Sequence, residues 1–120
     1  MTYDFKKKFD FNARCQESTR IVGKYPDRVP VIVQKVEGTQ GDAVANIDKH
    51  KFLVPNDLSA GQFIYVIRRR IKLDAVQALY LFCGEGTLPA TNTMMSQLYQ
   101  RHKDEDGFLY VSYAGENTFG

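Results

Sequence analysis

Apolar and polar positions fall into helical and strand-like stretches along the chain. Near the start, Phe5, Phe9 and Phe11, then Ile21 and Val22, sit among basic residues without strand alternation. This predicts short amphipathic helices ending near Gly23 and the Tyr25-Pro26-Asp27 turn signal. Val29-Pro-Val-Ile-Val33 is rich in β-branched residues and predicts a strand, with Pro30 confined to an edge or an early position because it has no N–H to give. Phe52-Leu-Val54 predicts another strand, stopped by Pro55 and Asn56-Asp57, and the polar stretch Gly38-Thr-Gln-Gly-Asp42 reads as the loop of a hairpin between the two. Ser59-Ala-Gly-Gln62 has capping-box spacing and opens a helix in which Phe63, Val66, Ile67 and Ile71 make one apolar stripe.

Ala78-Leu-Tyr-Leu-Phe-Cys83 is apolar on both registers, as a strand buried on both faces would be, and Gly84 and Gly86 end it. A further helix is expected over about Thr93–His102, where Met94 and Leu98, and Met95 and Tyr99, stand four apart. Asp106-Gly107 turns the chain into a last strand, Phe108-Leu-Tyr-Val-Ser-Tyr113. The order helix, helix, strand, strand, helix, strand, helix, strand belongs to the α+β class and is compatible with a β-grasp roll. Residues 114–120 offer little to pack and are expected to form a mobile tail.

At 120 residues, with 43% hydrophobic and 25% charged, this is a single globular domain's worth of chain. Sixteen basic against 14 acidic residues leave +2, too little for a whole-protein grip on nucleic acid. The charge is uneven: seven bases face four acids up to Arg28, Arg68, Arg69, Arg70 and Lys72 form a second cluster, and the last twenty residues lean acidic. The two cysteines, Cys15 and Cys83, make no disulfide framework, and no apolar run approaches the roughly 20 residues of a spanning helix. A cytosolic chain is expected, reaching a membrane only through a surface or a covalent anchor.

Four motifs carry a resemblance. Lys24-Tyr-Pro-Asp-Arg-Val-Pro-Val-Ile-Val33, Asp48-Lys-His-Lys-Phe-Leu-Val-Pro-Asn-Asp-Leu-Ser-Ala-Gly-Gln-Phe63, Ile67-Arg-Arg-Arg-Ile71 and Phe108-Leu-Tyr-Val-Ser-Tyr113, in this order, closely resemble the GABARAP-type autophagy ubiquitin-like modifiers, from about Phe11 to Gly120. The resemblance implies an α+β, ubiquitin-like β-grasp fold with two additional N-terminal helices. It implies one domain over 1–120: a helical extension 1–27, a core 28–113 and a conjugation tail 114–120. It also implies a modifier acting in autophagosome formation, joined to phosphatidylethanolamine on autophagosomal and cytoplasmic vesicle membranes.

Gly120 would be the attachment residue, since a glycine end lets an activated carboxylate enter narrow sites, and Phe119 the neighbour read by the processing protease. Family members commonly carry residues beyond this glycine; a chain ending on it would need no first cleavage. Implied partners are activating (E1-like) and conjugating (E2-like) enzymes, a processing and delipidating cysteine protease, cargo receptors bearing aromatic-x-x-aliphatic motifs, and membrane through the covalent lipid. No cofactor or metal is implied. Receptor peptides would add as a strand to a sheet edge. By resemblance, the aromatic anchor's pocket is lined by Glu17, Ile21, Pro30, Ile32, Lys51, Leu53 and Phe108, with Lys51 gating it. The aliphatic pocket is lined by Phe52, Val54, Pro55, Leu58, Phe63, Val66 and Arg70, and Arg28 and Arg70 meet flanking acids. Gly107 stands where relatives often have a bulky residue, and the loop from Gly38 to Asn46 is longer than usual.

Other functions have less behind them. No catalytic residues are expected: His50 and His102 lie in charged contexts, Cys83 reads as core packing, and no spacing suggests zinc. The consecutive arginines Arg68, Arg69 and Arg70 fan around a helix instead of making one stripe, which speaks against a specific nucleic-acid surface. Lys6, Lys7 and Lys8 would each add about 1 kcal/mol against an anionic leaflet. An intracellular adaptor that uses the groove without lipidation is the alternative, and it differs only at Gly120.

Overall fold

The structure is a computed structural model and describes residues 2–37, 44–84 and 86–116. Two helices come first, α1 (Asp4–Lys8) and α2 (Phe11–Lys24). Asp10 separates them, and its carboxylate accepts from the Ala13 N–H at 2.8 Å to cap α2. β1 (Arg28–Lys35) and β2 (Lys51–Pro55) then pair antiparallel, from Arg28 opposite Pro55 to Ile32 opposite Lys51, as the hairpin expectation requires. The loop expected at Gly38–Asp42 lies outside the described residues. α3 (Ala60–Arg70) opens on the expected capping box: Ser59 Oγ accepts from the Gln62 N–H at 3.1 Å, and Gln62 Oε1 accepts from the Ser59 N–H at 2.9 Å. β3 (Tyr80–Cys83), α4 (Met95–His102) and β4 (Leu109–Ala114) complete the order read from the sequence.

The four strands lie in the order β2-β1-β4-β3, with β1 and β4 parallel in the middle. β1 is therefore an interior strand, and Pro30 takes the early position instead of an edge. The Val33 N–H donates to the His50 carbonyl at 2.8 Å, which fixes the alternation: Val29, Val31 and Val33 turn their polar groups toward β2. Pro30 turns its nitrogen toward β4, where pairing begins only at Val31 opposite Leu109. A missing donor costs nothing there.

Three further boundaries shift for tertiary reasons. β3 starts at Tyr80, Ala78 being exposed. α4 starts at Met95, while the Thr93 carbonyl accepts from the Ala60 N–H at 2.8 Å and ties this segment to α3. β4 runs on to Ala114, which is fully buried with Val36 and Phe82, so the strand takes in a residue expected in the tail. In α3 the buried residues are Ala60, Phe63 and Ile67, with Ile71 buried just past its end, while Val66 is 39% exposed and leaves the expected stripe.

Strand alternation gives the sheet two apolar faces. Val31, Val33, Phe52, Val54, Leu81 and Val111 meet Phe63, Ile67, Met95 and Leu98 of α3 and α4. On the other face Ile32, Phe108 and Tyr110 pack with Ile21 of α2, and Tyr3 and Phe5 lie over them. This second layer is fastened by a buried carboxylate. Asp106, 1% exposed, accepts from Arg14 Nε at 2.8 Å, from the Phe108 N–H at 2.9 Å and from the Tyr110 hydroxyl, while its carbonyl accepts from Ser18 Oγ at 2.5 Å. Burial first, then the neighbouring Asp106 carboxylate, hold the Tyr110 phenol well above its usual range. Gly107 follows at φ +90°, where a Cβ would strike Ser18 Oγ. That close approach is why this chain carries glycine here.

Asp106→Ala should lower unfolding free energy by about 3–5 kcal/mol, because it strands the nearly buried Arg14 guanidinium. Chemical denaturation measures this. A loss below about 1 kcal/mol, the range of an exposed ion pair, would show that the carboxylate does not fasten α2.

Candidate functional site

Among the described residues β2 has a neighbouring strand on one side only, which leaves its other edge open. Because Val33 and His50 form a hydrogen-bonded pair, the outward-turned backbone groups along β2 are those of Lys51, Leu53 and Pro55. Pro55 has no N–H, and its carbonyl accepts from the Leu58 N–H at 3.1 Å. The Leu53 carbonyl accepts from Arg28 Nη1 at 3.1 Å. Lys51 and Leu53 are thus the two positions at which a further strand could pair.

The register also sorts the side chains. Lys51 and Leu53 share a face with their cross-strand partners Ile32 and Pro30, while Phe52 and Val54 point to the opposite face, against α3. On the α2 side, Ile21, Ile32 and Phe108 come together as fully buried core, with Phe5 of α1 set edge-on to Phe108 at 5.1 Å. They form a floor beneath α1. Above them, a cavity of about 220 Å³ is lined by Phe5, Phe9, Ala13, Arg14, Glu17 and Lys51. Leu53 is 36% exposed beside buried Pro30.

Lys51 is held across this cavity's mouth by Glu17, Nζ to Oε2 at 2.5 Å, and Arg20 Nε reaches the other oxygen at 2.7 Å. The Arg20 hydrogen bond first, then that from Lys51, bring the Glu17 carboxyl down to about 2. On the α3 side, Phe52 and Phe63 meet edge-on at 5.9 Å within the core, with Val54 beside them. Leu58 and Val66 line a shallow, open depression of about 630 Å³ with Ser59, Gly61, Gln62, Tyr65, Thr91 and Asn92. Pro55 is half-buried at the end of β2. Arg70, at the end of α3, is bound to Asp48 through Nε to Oδ1 at 2.9 Å and Nη2 to Oδ2 at 3.5 Å.

Glu17, Ile21, Pro30, Ile32, Lys51, Leu53 and Phe108 thus lie on the α2 side of the sheet, and Phe52, Val54 and Phe63 on the α3 side, while Pro55 falls at the end of β2 in register with Lys51 and Leu53, and Arg70 is drawn to Asp48. Sequence reading missed Phe5, Phe9, Ala13 and Arg14 as cavity residues. The i, i+4 spacing of Phe5 and Phe9 was a signal of an apolar helix face, though not of what it covers. Tyr65, Gln62, Thr91 and Asn92 gave no signal. Lys6 is tied to Asp104 at 2.7 Å and lies over the Tyr110 ring at 4.6 Å, so of the three N-terminal lysines this one fastens α1. Cys83 is fully buried, and burial pushes its thiol up to about 12. Among the described residues no helix is long and apolar enough to cross a membrane, and no cluster of three His, Cys, Asp or Glu side chains forms a metal site.

The family profile described as "Autophagy protein Atg8 ubiquitin like" matches residues 13–120. The chain belongs to the Atg8 family. It is 56% identical over 116 residues to Autophagy-related protein 8 of Mycosarcoma maydis, covering 97% of this chain and 95% of that one. It is 54% identical over 120 residues to Autophagy-related protein 8 of Schizosaccharomyces pombe, covering 100% of this chain and 96% of that one, and 56% identical over 116 residues to Autophagy-related protein 8e of Arabidopsis thaliana, at 97% and 92%. The crystal structure of Trypanosoma brucei ATG8 superposes with a TM-score of 0.87 at 38% identity, covering 100% of both chains. The α+β fold is thus the ubiquitin-like fold of Atg8 proteins, and the chain is an Atg8-type autophagy modifier. Phe119 and Gly120 lie outside the described residues, though within the family match.

The Glu17–Lys51 contact has a defined pH window. Glu17's folded value is depressed to about 2 from its usual 4.5, so the contact's contribution is complete above about 4.5 and is lost as pH falls through 2. A carbon-detected NMR titration should place the Glu17 carboxyl midpoint near 2. A midpoint near 4.5 would show that Glu17 does not hold Lys51 in solution.

Proposed function

We propose that this protein is joined through the Gly120 carboxylate to phosphatidylethanolamine and recruits receptors through the β2 edge. The observation that carries the second half is the arrangement of β2: one short open edge, with a cavity beside Lys51 on the α2 side and a shallow depression at Leu58 and Val66 on the α3 side beyond it. A peptide added as a strand alternates its side chains, so residues three apart point to opposite faces. An aromatic-x-x-aliphatic segment thereby sends its aromatic residue to the α2 side and its aliphatic residue to the α3 side. Lys51 and Leu53 pair with its backbone, which supplies affinity that does not depend on side-chain identity. Glu17, Ile21, Pro30, Ile32 and Phe108 belong to the aromatic side, with Lys51 at its mouth. Phe52, Val54, Pro55, Leu58, Phe63, Val66 and Arg70 belong to the aliphatic side, and Arg28 and Arg70 serve flanking acids.

The first half rests on family membership and on the glycine end. The Gly120 carboxylate attacks ATP on the E1-like enzyme to form an adenylate with release of pyrophosphate, and an enzyme cysteine then displaces AMP to give a thioester that passes to the E2-like cysteine. The lipid amine then attacks the thioester carbonyl, forming an amide and releasing the thiol. A diacyl lipid anchors stably where a single chain would not, which accounts for vesicle and autophagosomal association without a spanning helix. A cysteine protease that reads Phe119 reverses the linkage. The chain itself supplies no catalytic group and needs no cofactor.

With the activating and conjugating enzymes, ATP and phosphatidylethanolamine liposomes, the wild-type chain should shift to a lipid-linked form on gels, and Gly120→Ala should not. Conjugation of Gly120→Ala at the wild-type rate would remove Gly120 from the reaction. In calorimetry, an aromatic-x-x-aliphatic peptide should bind with about micromolar affinity, ~−8 kcal/mol. Leu53→Ala should weaken it about tenfold, ~1.4 kcal/mol, without unfolding the chain, since Leu53 is not in the core. Unchanged affinity would show that the peptide does not lie along β2.

A further inference from the structure

The cations around the β2 edge are already occupied by acceptors of this chain. Lys51 is held by Glu17, the Arg28 guanidinium donates to the Leu53 carbonyl, and Arg70 is held by Asp48. Of the three consecutive arginines ending α3, Arg68 donates to the carbonyls of Asp74 and Ala75, and Arg69 lies over the Tyr65 ring at 5.8 Å. Arg70 alone among these is directed at the segment leading into β2, and its fork is taken by both Asp48 oxygens at 2.9 and 3.5 Å. The ammonium of the neighbouring Lys49 stands over the Phe52 ring at 5.0 Å.

From this arrangement we infer that Asp48 is a specificity-determining residue, an internal competitor that occupies Arg70 and must be displaced before an acidic residue of a bound peptide can use it. The inference rests on the groove reading above. Its physical basis is exchange of like for like. An incoming carboxylate that meets a free arginine gains a charge-assisted fork. One that meets Arg70 gains that fork only by releasing Asp48 to water, so the difference is small. The fold does not need the pair, since the Arg70 and Asp48 side chains are 41% and 73% exposed. Ion pairs so exposed contribute little to stability, and either partner lets go readily. Asp48 therefore damps the preference for acid-flanked peptides and leaves selection to the two apolar anchors. At the other end of β2, the Leu53 carbonyl restrains Arg28 in the same way.

The test is calorimetry of the full chain with two peptides sharing one aromatic-x-x-aliphatic core, one flanked by aspartates and one by alanines. The proteins are wild type, Asp48→Asn, Arg70→Gln and the double variant. Asp48→Asn should tighten the aspartate-flanked peptide about threefold and leave the alanine-flanked one unchanged. In the Arg70→Gln background the same substitution should bring no gain. No gain in the single variant, or an equal gain for both peptides, overturns the inference. So does a gain that persists without Arg70, because it would report general charge rather than competition for that guanidinium. If neither peptide binds wild type, the groove itself falls and this inference with it; binding without the Asp48 effect removes the inference alone.

Discussion

Everything on the α2 face depends on where one buried carboxylate finds its partners. Asp106 has a side chain with no exposed surface, and its ion-pair partner Arg14 is only 11% exposed. Charges so placed lose their hydration and are stable only when every lone pair is met. Here Arg14, Tyr110 and the Phe108 N–H meet them, and Ser18 takes the adjoining carbonyl. Both Arg14 and Ser18 belong to α2, so the same turn that starts β4 sets the helix's height and rotation over the sheet. α1 follows through Lys6, bound to Asp104 two residues earlier. Glu17, one turn beyond Arg14 on α2, is thereby delivered to Lys51.

The sheet edge is built with similar economy of exposed groups. Open edges invite uncontrolled pairing, and short length, lysine and proline are the usual protections. β2 has all of these: five residues, Lys51 at its start and Pro55 at its end. Arg28 then covers the Leu53 carbonyl. What remains is enough for a brief segment and too little for a long strand.

Local chemistry was legible in the sequence and long-range chemistry was not. The Ser59–Gln62 capping box, the two hairpin strands and the doubly buried Leu81–Cys83 stretch involve neighbours in the chain or an apolar alternation that reports burial directly. Pro30 was ambiguous because a missing donor fits both an edge and a place ahead of the next ladder. Val66 fell out of its stripe because helical spacing cannot tell which of two adjoining apolar residues has a sheet beneath it. For the site, family resemblance named residues that the fold places on or beside β2. Position alone could not separate exposed Leu53 from fully buried Ile32, nor show that Phe5 lies over Phe108. The Arg14–Asp106 pair spans 92 residues, and no periodicity encodes it.

These constraints bear on how strong a ligand of the proposed groove can be. Two pairing positions provide few backbone bonds, and each net hydrogen bond is worth about 1 kcal/mol. Lys51, Arg28 and Arg70 have acceptors already, so ionic contacts to them exchange instead of adding. Apolar anchors must then supply most of the affinity, each side chain being worth about 1.5–3 kcal/mol when fully buried. Set against the cost of association, this yields binding that is specific in spacing, tolerant in sequence and quick to release. Under the proposed lipid linkage, copies anchored together on one membrane would gain avidity from their neighbours, so weak single contacts would be sufficient and would leave each copy free to change partners.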